Sequence, residues 1–441
     1  MIEQVKIIGG GLAGCEAALY LSDHKVPVTL YEMRPSRATE VHETGDLAEL
    51  VCSNSLKSTD PQTASGLLKE EMRLLKSRLL PIAEECRVPA GSALAVDRKR
   101  FSEMINRRIA TSAVRVIREE YAQLESENFE RTAVVICSGP LTSERLMRSI
   151  SRFLNTSELF FFDAVAPIVD SDTIDFSCAF EADRYQEEES GAYLNLPLDE
   201  ELYDRFYRTL IEAEKIAVPD FERKYLFDRC QPIEEIARGG YDALRYGPMK
   251  PVGLIDPKTN RQPYAAIQLR QENAAKNLYN LVGFQTRLKW DEQKRLLRLI
   301  PALREVEIVR YGVMHRNTYL NTPRLFDGHL ESKTQPNLFV AGQMSGMEGY
   351  MESAVGGLVV AEHILRRFQG RPPLDYPVDT MVGALIAYIT QADPLRPMYA
   401  NFGILPPVKG KKRQVRSLKS ARALGKMKAF LNGEMTHPPK L

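Results

Sequence analysis

The stretch VKIIGGGLAGCEAALYLSDHKVPVTLYEM, residues 5–33, constrains the fold more than any other part of the chain. An apolar strand at 5–8 runs into Gly9, Gly10, Gly11 and Gly14. A helix follows from about residue 12 to 21, then a second strand at 27–32 that ends in Glu32. In such a unit Gly9 makes the tight turn, Gly11 admits a pyrophosphate to the backbone, and Gly14 lets the helix pack closely on the strand. The helix N-terminus offers free N–H groups and a positive dipole end to the phosphates. Glu32 is placed to accept hydrogen bonds from a ribose diol. The reading is dinucleotide binding, with a purely structural glycine turn as the alternative. The fingerprint alone does not separate FAD from NAD.

Two later segments favour FAD. RTAVVICSGP (131–140) reads as a buried strand ending at Ser138 and Gly139. PNLFVAGQMSGMEGYMESAVGGLVVAEHIL (336–365) reads as a further strand, a loop with Gly342, Gly346 and Gly349, and a helix. Tyr350 follows that loop and is placed to flank a flavin ring. A late strand, glycine loop and helix returning to the first unit is how two-dinucleotide-fold flavoproteins hold the flavin end. The expected architecture is α/β, a glutathione-reductase-like, Rossmann-type FAD-binding fold with an inserted α+β domain. The pattern changes between about 165 and 320, where strand-like segments surround an amphipathic helix at 199–216. The expected division is therefore 1–165 and 321–441 for the flavin fold and 166–320 for an insertion that covers the flavin and receives substrate.

At 441 residues, 27% charged and 44% hydrophobic, the chain has the composition of an ordinary folded protein. The formal net charge is +1, so any nucleic-acid binding must come from local patches. The chain enters its first strand almost at once and has no apolar run long enough for a membrane span, so a cytoplasmic location without membrane association is expected. Six scattered cysteines without metal-ligand spacing argue against a disulfide framework or a metal site. Near the end, KGKKRQVRSLKSARALGKMK (409–428) carries nine Lys or Arg and no acid. It reads either as a solvated helix face or as phosphate contacts with a nucleic acid, with Lys409, Lys411, Lys412 and Arg413 as the candidates.

Two cysteines sit in polar surroundings. Cys52 lies in AELVCSNSLKS (48–58) and Cys230 in YLFDRCQPIEEIARGG (225–240), whereas Cys137 ends an apolar strand and Cys15 lies in the first helix. Cysteine usually behaves as a small buried hydrophobe. A thiol among turn-forming residues is either a surface accident or a nucleophile, and a thiolate suits attack on an electron-poor ring carbon such as C6 of uracil.

The chain resembles the bacterial folate- and FAD-dependent tRNA (uracil-5-)-methyltransferases, the TrmFO family. The likeness runs through YEMRP, ELVCSNSLKS, RVPAGSALAVDR, SGPLTSE, YGPMKPVGLIDP, QLRQE, LVGFQTRLKW, RYGVMHRNTYLN, GMEGYMESAVGG and PMYANFGILPPV. The related GidA or MnmG enzymes share the flavin motifs but are much longer. The resemblance implies that methylenetetrahydrofolate delivers a one-carbon unit to C5 of the T-loop uridine of tRNA, that reduced FAD supplies electrons, and that NADH or NADPH re-reduces the flavin. It also implies that Cys52 and Cys230 are the functional pair: one adds to uracil C6 and the other assists, in an order the sequence leaves open. One departure is CSGPLTS (137–143), where the family usually has ATGPLTS; both changes are small. Trp290 and His315 are candidates for stacking on the folate or flavin, with packing at the domain junction as the alternative. Competing readings are the same chemistry on ribosomal RNA, a flavin NAD(P)H oxidoreductase without an RNA substrate, and a non-catalytic FAD- and tRNA-binding protein.

Overall fold

The computed structural model describes residues 2–39, 41–156, 159–184, 192–216 and 231–433. Its strands in chain order are β1 (Gln4–Ile8), β2 (Val28–Tyr31), β3 (Ser55–Ser58), β4 (Arg87–Val88), β5 (Ala93–Val96), β6 (Arg115–Ile117), β7 (Thr132–Ile136) and β8 (Leu159–Ala164). They continue with β9 (Ile168–Asp170), β10 (Phe180–Glu181), β11 (Tyr193–Leu198), β12 (Ala265–Gln271), β13 (Leu278–Leu281), β14 (Ile308–Arg310), β15 (Met314–Tyr319) and β16 (Leu338–Val340).

The first sheet has the order β16-β7-β1-β2-β6 and is parallel throughout. Every residue of β7 is buried, as the continuous apolar run of a strand covered on both faces requires. Helix α1 (Leu12–Asp23) buries all residues from 12 to 21, because it lies between this sheet and the helix Tyr350–Phe368. The two helices meet where Gly357 faces the Ala13 carbonyl; a Cβ there would sit 2.1 Å from that oxygen. Because β1 has β2 on one side and β7 on the other, the chain leaves β1 and β7 around a topological switch point. In open α/β sheets the crevice at such a point, beyond the carboxyl ends of the strands, is where ligands bind.

The second sheet has the order β10-β11-β12-β13-β9-β14 and antiparallel pairings. Its apolar core draws on residues from Ala166 to Ile308, while the first core draws on residues up to Leu154 and again from Tyr319 onward. The helix Glu200–Glu212 starts at Asp199, whose carboxylate accepts from the Leu202 N–H at 2.8 Å, and buries Leu202, Tyr203, Phe206 and Leu210 on this sheet. The chain crosses between the cores at β8 and β15, which pair with each other antiparallel. On β12, Ala265, Ile267 and Leu269 face the core, and the alternate residues, Arg270 among them, face the other way. Helix α2 (Ala64–Leu74) packs against the basic helix Val415–Leu431. Among the described residues, no helix is long and apolar enough to cross a membrane, and no cluster of side chains is built to hold a metal ion.

Candidate active site

Two glycine turns meet at the carboxyl ends of β1 and β7. Gly9 has a φ of 109°, and a Cβ there would lie 2.4 Å from the Cys137 carbonyl oxygen, so only glycine lets the two strand ends approach this closely. A Cβ built on Gly11 or on Gly139 would meet nothing within 4 Å. Both residues border a cleft of about 770 Å³ that Gly10, Gly342, Glu32 and Tyr350 also line. Helix α1 begins at Gly11 and the helix Tyr350–Phe368 at Gly349, each without a side-chain cap, so their first N–H groups are left for a ligand or water. An open glycine cradle between two uncapped helix ends fits FAD.

The Glu32 carboxylate accepts from the Gly10 N–H at 2.9 Å on one oxygen, and from the Arg34 N–H and Nε at 3.0 and 2.9 Å on the other. Burial opposes its charge, but the Arg34 guanidinium outweighs that and holds the carboxyl below the usual range. Arg34 also pairs with Glu49 at 3.0 Å. A carboxylate has about four lone-pair sites, so acceptor capacity remains for ribose hydroxyls.

Val51, Pro140, Gln343, Tyr350 and Ser353 line both this cleft and a second cavity of about 870 Å³. Cys52 borders the second cavity as a half-buried free thiol. Its loop is held from three sides. The Cys52 and Ser53 N–H groups donate to the Tyr350 hydroxyl oxygen at 2.8 and 3.3 Å. Burial, with the Cys52 side chain next to it, raises the Tyr350 phenol above its ordinary value. Arg98 donates to the Leu50 carbonyl at 2.8 Å and forms a two-bonded ion pair with Glu272, at 2.7 and 3.3 Å. Arg270 donates to Asn54 Oδ1 and Ser53 Oγ. On the other wall Lys57 pairs with the buried Glu352 at 2.7 Å and lies over the Tyr399 ring.

Residues 4–372 match the GIDA family, described as glucose inhibited division protein A. The methylenetetrahydrofolate–tRNA-(uracil-5-)-methyltransferase TrmFO of Thermotoga maritima is 52% identical over 433 residues, covering 97% of this chain and 98% of that protein. The chain belongs to the TrmFO group of the GIDA family. The TrmFO of Syntrophomonas wolfei is 49% identical over 436 residues, covering 97% of this chain and 99% of the relative. Among solved structures, Aquifex aeolicus GidA superposes with a TM-score of 0.70 at 17% identity, over 97% of this chain and 73% of that one. That likeness shows a shared flavoprotein fold.

Not every residue singled out in the sequence comes to the two cavities. Gly346, with a φ of 89°, closes the turn after Gly342–Ser345 and packs against Leu395. Trp290 lines neither cavity: it is 59% exposed and lies flat on Tyr311, ring centroids 5.0 Å apart. Cys230 and the side chains of His315 and Lys412 lie outside the described residues. The chain on either side of Cys230 is bound to one short stretch, since the Ile216 N–H donates to the Arg287 carbonyl at 2.9 Å and the Ile233 N–H to that of Gln285 at 2.7 Å. Lys409, Lys411 and Arg413 are exposed ahead of the basic helix, whereas Lys419 is buried and donates to the Phe402 and Leu405 carbonyls at 2.6 and 2.9 Å.

Arg98, Arg270, Glu272, Lys57, Glu352 and Asn317 were not singled out from the sequence. Five of the six lie inside the blocks SNSLKS, QLRQE, RNTYLN and GYMES that carry the family likeness, so the signal for them was present as unusual polar residues within strand and helix patterns. Arg98 is the last residue of a further such block, RVPAGSALAVDR.

Proposed function

We propose that this chain is a folate- and FAD-dependent tRNA (uracil-5-)-methyltransferase, which takes a one-carbon unit from methylenetetrahydrofolate and leaves 5-methyluridine in the T loop. The observation that carries this reading is the end-to-end identity of 52% with a protein of that name. The geometry supports it, because a free thiol stands at a cavity that shares five lining residues with the glycine cradle.

When bound, FAD supplies the electrons that turn the transferred carbon into a methyl group, with NADH or NADPH as their source. Gly9, Gly10, Gly11, Gly139 and Gly342 bring backbone close to it, Glu32 takes the ribose, and Tyr350 stands where the two cavities join. C5 of uracil is a poor nucleophile until a thiolate adds to C6, forming a C–S bond and moving electron density onto C5. Cys52 and Cys230 share this task, one as the attacking thiolate and the other assisting with protons. The hydrogen bonds from the Cys52 and Ser53 N–H groups to Tyr350 fix the backbone of the Cys52 loop, so the thiol is offered to the cavity from a set position. A T-loop uridine must leave its stack to reach it, at a cost of roughly a few kcal/mol. Residues 166–320 act as the inserted substrate and folate unit. The exposed Lys409, Lys411 and Arg413 meet tRNA phosphates. The enzyme works in the cytoplasm, where tRNA, folate and reduced nicotinamide are found together.

The test uses FAD-loaded protein, unmodified tRNA transcript, NADPH and methylenetetrahydrofolate labelled in its one-carbon unit. Label in T-loop 5-methyluridine, lost in both Cys52→Ala and Cys230→Ala, is the expected result. NADPH oxidation without label in RNA, in all three proteins, would leave a flavin oxidoreductase instead.

A further inference from the structure

We infer that the stretch from Tyr246 to Arg261 is a docking surface for RNA, which stacks a base on Tyr246 and sets phosphates against Lys258 and Arg261. The inference rests on the reading of this chain as a tRNA enzyme and adds a contact surface to it.

Ten large apolar side chains stand exposed among the described residues, and three of them, Tyr246, Val252 and Ile255, fall in this one stretch. Tyr246 is the most exposed of the ten, at 83%. The loop that carries them is firmly tied. The Met249 N–H donates to the Leu244 carbonyl at 2.9 Å, the Ala266 N–H to the Met249 carbonyl at 3.1 Å, and the Arg184 guanidinium to the Pro248 carbonyl at 2.9 Å. Gly253, with a φ of 84°, lets the backbone lie against Arg184, where a Cβ would sit 2.0 Å from the carbonyl oxygen. At the far end the Asp256 N–H donates to the Arg261 carbonyl at 2.9 Å. The loop packs Met249 and Leu254 inward and holds Tyr246, Val252 and Ile255 in solvent. Apolar side chains gathered on an ordered loop mark an interaction surface, whereas single scattered ones do not.

The charge of the stretch selects the partner. Asp256, the only acid between 246 and 261, is buried, and its carboxylate accepts from the Lys258 N–H at 2.9 Å. Lys258 and Arg261 are exposed. An aromatic face beside cations, with no exposed acid, suits bases and phosphates. A second copy of this chain docking through the same surface would set these cations against themselves.

The loop also lies on the right side of the second sheet. Leu254 packs with Ala266, which shares its face of β12 with Arg270. Arg270 in turn holds Ser53 and Asn54, next to Cys52. Ala266 and Arg270 are separated by about 14 Å of strand. An RNA whose uridine enters the cavity at Cys52 therefore passes within a few nucleotides of this loop.

The experiment follows binding of a fluorescently labelled, unmodified tRNA transcript to the FAD-loaded full chain by anisotropy over a range of salt. Tyr246→Ala should weaken binding by about five- to hundredfold, as the loss of one stacked base does, and leave the salt slope as it was. Tyr246→Phe keeps the ring and should bind as wild type does. Lys258→Gln with Arg261→Gln should lower the slope of log affinity against log salt by about two. All three proteins should accept electrons from NADPH at the wild-type rate, which shows that they are folded. Wild-type affinity in Tyr246→Ala, equal weakening in Tyr246→Phe, or a wild-type slope in the double variant overturns the inference. A wild-type dimer that Tyr246→Ala dissociates in sedimentation also overturns it, in favour of self-association. A wild-type chain that binds no tRNA overturns both this surface and the reading on which it rests.

Discussion

Arg270 ties the loop that bears Cys52 to the second sheet: its Nε donates to Asn54 Oδ1 at 2.9 Å and its Nη2 to Ser53 Oγ at 2.7 Å. Asn54 is fully buried, and its amide donates to the Val96, Gln271 and Glu272 carbonyls at 3.1, 3.0 and 3.3 Å. The thiol is thus placed by a strand from the other core. Arg270→Met removes both guanidinium bonds and leaves the buried Asn54 Oδ1 unmet, at about 1–3 kcal/mol, while Ser53 Oγ keeps the Ser55 N–H at 3.1 Å. It is expected to lower kcat for methyl transfer by about 10- to 100-fold, as small misplacements of a reacting group do, with FAD content and KM for folate little changed. The rate of Cys52 alkylation by iodoacetamide, followed peptide by peptide, should shift with it. Wild-type alkylation and kcat in the variant would show that the loop holds its place without Arg270.

The glycines of the first turn have separable roles that two substitutions distinguish. A Cβ at Gly11 points into open cleft, whereas one at Gly14 would sit 1.9 Å from the Gly9 carbonyl oxygen. Gly11→Ala should fold with the stability of the apoprotein and retain FAD poorly. Gly14→Ala forces helix α1 off β1 and should cost about 1–3 kcal/mol, seen as a lower Tm of the apoprotein. Equal flavin content in Gly11→Ala and wild type would remove Gly11 from the cofactor cradle.

Much of this was legible in the sequence where the pattern is local. The strand, glycine turn and helix at 5–33 lie within one stretch, and so do the late strand and helix around Gly342 and Gly349. The polar neighbours of Cys52 marked its loop for the same reason. What stayed hidden depends on partners far along the chain. Asn54 reads as a turn former, yet it is buried because Arg270, 216 residues away, and the β12 backbone satisfy it. Glu352 reads as an ordinary first-turn acid, favourable to a helix N-terminus; only the fold brings Lys57 and Ala400 to it. Trp290, attractive as the sole tryptophan, starts a helix whose buried side is supplied by Gln293, Leu296 and Leu297, which leaves the indole outside.

The basic run divides into exposed and buried residues, and the proposed role of the exposed ones can be tested in solution. Lys409 and Lys411 are exposed, so Lys409→Gln with Lys411→Gln should leave Tm unchanged and weaken tRNA binding. The slope of log affinity against log salt should fall by about one for each phosphate that is no longer neutralised. Lys419 instead ties its helix to the 402–405 loop through two carbonyl bonds. Lys419→Met should lower Tm and leave the salt slope as it was. A slope unchanged in the double variant would return the run to a solvated helix face.

Glu71 gives the fold a pH dependence with a definite sign. Its two carboxyl oxygens accept from the Met381 and Val382 N–H groups, each at 2.8 Å, at the start of the helix Met381–Gln391, and the side chain is fully buried. Burial raises the carboxyl from its ordinary 4.5 to about 7, more than the two N–H bonds lower it. The folded state therefore holds this proton more tightly than the unfolded chain does. The stability it contributes is complete below pH 4.5, declines as pH rises toward 7, and is gone above that. A shift of that size is worth on the order of 3 kcal/mol. In Glu71→Gln the group cannot titrate, so the Tm of wild type relative to the variant should fall between pH 4.5 and 7 and stay level above. A difference that rises with pH over this range would mean that the two N–H bonds keep Glu71 charged in the folded protein.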